Sequence, residues 1–153
     1  MVEWFDDLKV GMRFKSEAIT VSKDDIIRFA REYDPQPFHL DEEAAKKSIL
    51  GGLAASGWHT SAMFMRMMAD SFVLNSLCEG APGVDFMEWR KPVLAGDTLS
   101  GHSTVLEARP MRSRPGLGIV KFRHEVENQR GELVLLSENS VIFGMRGSLE
   151  VSA

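Results

Sequence analysis

Apolar residues recur at near-helical spacing after Lys23: Ile26, Ile27, Phe29, Ala30 and Tyr33 form one stripe. Ser22 precedes the stripe, and Asp25 stands three residues later, a loose capping box that predicts a helix over 23–33. The helix cannot continue comfortably. Asp34 precedes Pro35 and is pushed out of the helical region, and a second proline stands at 37. The stretch from Asp34 to Asp41, DPQPFHLD, is therefore expected to be a stiff, ordered loop. Residues 41–47 carry acids first and lysines last, which suits a short helix dipole, and Gly51-Gly52 would end that helix. Residues 61–77 are apolar on nearly every face, from Ala62 and Met63 to Leu74 and Leu77. Such a helix is normally buried, so a central helix wrapped by the rest of the domain is expected. Beyond Gly83 the pattern predicts strands over 84–89, 98–108, 117–128 and 133–145, after a first strand over 12–20. Turns fall at Gly96-Asp97 and at Gln129-Arg130-Gly131, and a longer polar loop at 111–116. One long helix before a run of antiparallel strands indicates an α+β fold, a single domain over 1–153 with the sheet curled round the helix.

Composition narrows the partners. A chain of 153 residues, 44% hydrophobic and 26% charged, has the balance of a globular domain with a sizeable core. Its net charge is −4 and no basic run exceeds two residues, which disfavours nucleic acid. The one cysteine, Cys78, allows no intrachain disulfide, and a cytoplasmic location is expected. The start, MVEWFDDLKV, lacks the apolar core of a signal peptide. The apolar runs are too short for a bilayer, so no membrane partner is expected.

Two places carry candidate chemistry. In the proline-stiffened stretch, Asp34 and His39 combine a carboxylate with a side chain that titrates near neutrality. A rigid loop lowers the entropy cost of holding them in fixed geometry. The structural alternative is that Asp34 ends a turn and His39 caps the next helix. A metal held by His39 and Asp41 would need a further ligand, and none stands at zinc-like spacing; no metal is expected. The second place is Ser56-Gly57. Ser56 reads as an N-cap, and the free N–H groups of the turn after it would suit an oxyanion. Gly57 would allow close approach of a carbonyl. The remaining residues read as structural. Met63, Met65, Met67 and Met68 fill the core, and His59 is a packed, hydrogen-bonded side chain. Cys78 is a structural thiol, Arg112 and Arg114 are solvated, and His102 and His124 receive no role. The chain has no GxGxxG, P-loop or HExxH.

The segments FAREYDPQPFHLDEEAA, GGLAASGWHTSAMFMRM and MEWRKPVLAGDTLSG resemble the MaoC-like dehydratases, the (R)-specific enoyl-CoA hydratase branch of the hotdog fold. The family motif runs Asp, a proline-containing loop, His five residues on, then Asp; Asp34, Pro37, His39 and Asp41 match it. Gln36 stands where the family commonly has Asn, and Ser56 where it often has His before the glycine. The resemblance implies a long helix held in a curved antiparallel sheet, and a homodimer with its active sites in the interface. It implies Asp34 and His39 as catalytic residues and the Gly57 N–H as oxyanion donor, with Ser56, Pro37 and Asp41 in support. The implied reaction is reversible syn hydration of a trans-2-enoyl-CoA to an (R)-3-hydroxyacyl-CoA. It needs no metal or redox cofactor, and CoA enters as part of the substrate. A hotdog thioesterase or a non-catalytic acyl-CoA-binding protein would share the fold, which alone does not separate them.

Overall fold

Burial alternates with period two along the C-terminal half, and that alternation makes the sheet. The computed structural model describes residues 3–147. Four short strands, β1 (Arg13–Lys15), β2 (Ile19–Thr20), β3 (Cys78–Gly80) and β4 (Phe86–Trp89), flank three long ones. These are β5 (Thr98–Pro110), β6 (Leu117–Glu127) and β7 (Leu133–Gly144). All pairs are antiparallel; the order is β1-β5-β6-β7-β3, with β2 also on β5 and β4 also on β7. Leu99, Ser103 and Val105 of β5 turn inward with Val120, Phe122 and Val126 of β6 and Leu135, Val141 and Phe143 of β7. Alternate residues of each strand share one face, so this face is the core. The expected first strand over 12–20 is two strands. It breaks at Ser16, whose hydroxyl accepts the Gly101 N–H at 2.8 Å.

The helices lie on the inner face. Helix α1 (Lys23–Tyr33) has the expected bounds, and the Ser22 hydroxyl accepts the Asp25 N–H at 3.1 Å. Where a loop was expected, a single helical turn forms, α2 (Pro37–Leu40). Pro37 takes its first position, where a missing N–H has no intrahelical partner to lose. Helix α3 (Glu42–Lys46) follows. Helix α4 (Gly57–Ser71), capped by Ser56, starts and ends earlier than the apolar run at 61–77. Phe72 ends it by leaving helical geometry (φ −149°, ψ −29°). Its ring then packs against Phe14 and Phe122, with centroids 4.6 and 5.2 Å away. A 3₁₀ turn at Val73–Asn75 uses most of the rest of the run, and strand β3 begins just beyond it at Cys78. Nor is α4 wrapped on every side. Phe64, Met67 and Met68 enter the core, while Trp58, Ala62 and Met65 are exposed in the single chain. No helix among the described residues is long and apolar enough to cross a membrane.

The core also holds a histidine for which the sequence offered no role. His124 on β6 is buried. Its Nε2–H donates to Asn139 Oδ1 at 2.7 Å, and its Nδ1 accepts from the Ser103 hydroxyl at 2.8 Å. Phe64 and Phe122 flank the ring. Burial lowers its pKa below the ordinary 6.5, although Asn139 and Glu138 act in the opposite sense. The unfolded ring takes up its proton first as pH falls, so the unfolded state binds more protons and stability rises with pH in that window. Stability should therefore fall as pH drops below about 6.5. This group's slope is at most about 1.4 kcal/mol per pH unit. Urea midpoints at roughly pH 7.5 and pH 5.5 measure it. The His124→Gln protein should show a smaller difference between the two; an equal difference would assign the slope to other groups.

Candidate active site

Three segments converge at the first turn of α4. The first is the C-terminal end of α1. Asp34 caps that helix, its N–H donating to Ala30 O at 2.9 Å, and the following proline keeps it out of helical geometry. The second is α2, whose short turn carries His39. The third is the segment before α4, pinned beside residues 93–95 by Ala55 N–H to Val93 O (2.8 Å) and Ala95 N–H to Leu53 O (3.1 Å). Two side-chain bonds join the first two segments to the third. His39 Nδ1–H donates to Ala54 O at 2.7 Å, and the Ser56 hydroxyl donates to Asp34 Oδ2 at 2.7 Å.

Because a carbonyl can only accept, His39 Nδ1 carries a proton and Nε2 is the ring atom left for chemistry. It faces Asp34 Oδ2 at 3.4 Å. The other carboxylate oxygen, Oδ1, accepts from Gln36 Nε2 at 2.6 Å. Burial alone would raise the Asp34 pKa. The bonds from Ser56 and Gln36, with the nearby His39, outweigh it and hold the carboxyl below its ordinary 3.8. The pair opens on a cavity of about 400 Å³ whose lining includes Gln36, Phe38, Gly57, Thr60 and Val93.

Gly57 is the first residue of α4. Its N–H belongs to the turn whose donors have no intrahelical acceptor. Trp58 N–H is taken by the Ser56 hydroxyl at 3.3 Å. The need for glycine has a cause that the sequence did not show. A Cβ at Gly57 would lie 2.5 Å from the Trp89 indole. That ring is tied down by Nε1–H to Ser61 Oγ at 3.1 Å, and the Ser61 hydroxyl in turn donates to Gly57 O at 3.0 Å. Trp58 meets Trp89 edge to face, with centroids 5.0 Å apart.

The structure thus brings Asp34, His39, Ser56 and Gly57 together. Asp41 stands apart in role: its carboxylate accepts Glu43 and Ala44 N–H at 3.3 and 3.4 Å and caps α3. Asp41, not His39, is the helix cap here. Pro37 fixes the start of the turn that carries His39. His59 is buried and stacks on Phe29 at 4.8 Å, but its Nδ1 has no hydrogen-bond partner among the described residues, contrary to expectation. Trp89 and Ser61 were not singled out by the sequence, and Gln36 only as a departure from the family motif. Their contacts depend on neighbours that only folding supplies, apart from the local Gln36–Asp34 bond.

The fold and this junction place the chain among known proteins. The MaoC like domain matches residues 7–128. The protein YdeM of Bacillus subtilis is 36% identical over 139 residues, covering 90% of this chain and 96% of YdeM. The 3-hydroxybutyryl-CoA dehydratase of Methylorubrum extorquens is 32% identical over 123 residues, covering 76% of this chain and 72% of that enzyme. The crystal structure of a MaoC-like dehydratase from Rhodospirillum rubrum superposes with a TM-score of 0.87 at 44% identity, covering 94% of this chain and 98% of that one. The chain belongs to the MaoC-like family and has its hotdog fold.

The contact between Gly57 and Trp89 makes a direct expectation. Gly57→Ala forces the indole off the helix and breaks its bond to Ser61. Overpacking of this kind costs about 1–3 kcal/mol. Thermal melting should show that loss in the single variant. The same change made in a Trp89→Ala background should cost almost nothing, and an undiminished cost there would place the obstruction elsewhere.

Proposed function

We propose that this protein is a hydro-lyase that adds water reversibly across the double bond of a trans-2-enoyl-CoA, giving an (R)-3-hydroxyacyl-CoA. The observation that carries the reading is the facing pair Asp34 Oδ2 and His39 Nε2, 3.4 Å apart, lining a cavity beside the start of α4. Two acceptors at that spacing suit a water that donates one hydrogen to each and keeps its lone pairs for attack. The thioester oxygen takes the Gly57 N–H at the positive end of α4, which draws charge from C3 and stabilises the enolate-like transition state. The water oxygen bonds to C3 and one of its protons ends on C2. Polarisation by an N–H dipole means that the reaction as proposed calls for no metal or redox group. Support comes from the family, and from the similarity to a protein named as a 3-hydroxybutyryl-CoA dehydratase. The (R) outcome follows the motif's likeness to the (R)-specific branch.

We further propose that the working form is a homodimer in the cytoplasm. Strand β4 pairs only with β7 among the described strands and leaves its other edge open. Trp58, Met65, Val84 and Trp89 are exposed nearby in sequence or on α4. An open edge strand with apolar neighbours is a surface that proteins normally cover, and a second copy would cover it symmetrically.

The test is purified protein with crotonyl-, longer and branched enoyl-CoA. Loss of the conjugated enoyl thioester absorbance without release of free thiol reports hydration, whereas the same loss accompanied by free thiol would mean a thioesterase. Asp34→Asn and His39→Ala should each lower turnover about a hundredfold to ten-thousandfold, the usual contribution of a general acid–base group. A folded variant keeping more than roughly a tenth of wild-type turnover would remove that residue from the mechanism. Sedimentation at micromolar concentration should find the activity in a dimer; an active monomer would refute the dimeric site.

A further inference from the structure

Gln36 and Ser56 have no part in the bond-making steps above, yet each gives a hydrogen bond to the same carboxylate. We infer that Gln36 and Ser56 are positioning residues that clamp Asp34 as a permanent carboxylate, so that His39 Nε2 both receives the proton of the attacking water and returns it to C2. The inference rests on the hydratase reading and deepens it by assigning the proton.

The clamp has two sides. Gln36 Nε2 holds Oδ1 at 2.6 Å and the Ser56 hydroxyl holds Oδ2 at 2.7 Å. The amide nitrogen can only donate. The Ser56 hydroxyl already accepts Trp58 N–H, which directs its own proton to Asp34. An acidic proton on Asp34 would face a donor at either oxygen and displace one of these bonds. Ser56 is completely buried, so on the Oδ2 side water does not readily replace a lost partner, and an unmade buried bond is costly; on the exposed Oδ1 side it is the short Gln36 bond that holds the oxygen. The depressed pKa of the Asp34 carboxyl agrees with this geometry.

His39 is built for the complementary task. Its Nδ1–H is engaged by Ala54 O, so a proton can enter and leave only at Nε2. When Nε2 takes the proton, the imidazolium forms 3.4 Å from Asp34 Oδ2. The countercharge is already in place, and no group has to reorganise. The balance is simple. A water O–H bond breaks and its proton goes to Nε2 as the oxygen bonds C3; Nε2–H then bonds C2, and the ring returns neutral. One atom on one side of the substrate handles the proton in both steps, which gives syn addition.

The test uses Gln36→Met, which keeps the length of an exposed side chain but removes its donor, and Ser56→Ala, which also removes the α4 cap. In both, the Asp34 carboxyl titration followed by ¹³C NMR should move up toward the ordinary carboxylate value. With crotonyl-CoA, Gln36→Met should lower kcat about tenfold at unchanged KM, the size of one charge-assisted hydrogen bond. Added to Asp34→Asn, it should change nothing further. The acid limb of kcat/KM should follow the His39 ring titration read by ¹⁵N NMR. An unmoved Asp34 titration in Gln36→Met, or the same tenfold loss in the Asp34→Asn background, overturns the clamp. An acid limb that follows Asp34 overturns the proton assignment. Wild-type protein that hydrates no enoyl-CoA overturns the hydratase reading and the proton assignment with it, while the carboxyl titration still decides the clamp.

Discussion

The site depends on one junction, the pair of side-chain hydrogen bonds that fasten residues 34–39 to the start of α4. His39 reaches back to Ala54 O, and Ser56 reaches forward to Asp34. Neither bond would hold its geometry on a free loop. Each anchor is set by ordinary secondary structure: Asp34 by the end of α1, His39 by the turn that Pro37 starts, and Ala54 and Ser56 by the strand-like pairing with residues 93–95. Groups carried on elements of this kind are held more tightly than groups on mobile loops. The sheet serves the site indirectly. It fixes α4 through Phe64, Met67 and Met68, and α4 fixes the first turn, whose Gly57 lines the cavity.

Electrostatics and packing meet at the same turn. A buried carboxylate is expensive unless its oxygens are bonded. Here both are, and its charge stands beside the one ring nitrogen free to become cationic. The N-terminus of α4 adds a positive field at Gly57. Packing explains the glycine itself. The Trp89 ring occupies the place of a side chain at 57, and Ser61 holds both the indole and the Gly57 carbonyl. The helix start is thus fixed from one side by its cap and from the other by an aromatic ring, which leaves that turn little freedom to move.

Local punctuation was legible in the sequence. Ser22 and Pro35 bracket α1 closely because a cap and a proline act within a few residues of themselves. Alternation exposed the long strands for the same reason. The end of α4 was not legible. Phe72 leaves the helix to join Phe14 and Phe122, and that gain depends on strands distant in sequence. Likewise the all-round apolar character of residues 61–77 combined a core face, an exposed face and a 3₁₀ turn. At the site, Asp34, His39, Ser56 and Gly57 could be named from motif and capping patterns. Their mutual bonds could not, since the Ser56 contact spans 22 residues. Asp41 is a different case. A residue within the motif serves a backbone task, the cap of α3, and spacing alone cannot tell that use from chemistry.

The positions where the chain departs from the commoner family pattern gain meaning together. Gln36 and Ser56 are the two departures from the motif that the sequence resembles, and taken singly they look unrelated. Both side chains end on the carboxylate of Asp34. A serine hydroxyl is short, and it reaches Oδ2 while still capping α4. Gln36, one methylene longer than asparagine, stretches across the bend after α1 to the opposite oxygen. The two departures are therefore one arrangement, in which the carboxylate is fixed from both sides and the histidine keeps a single free nitrogen. A site in which only one oxygen were held would leave Asp34 able to rotate and to share the proton. Fixing both makes the division of labour between carboxylate and imidazole a consequence of geometry.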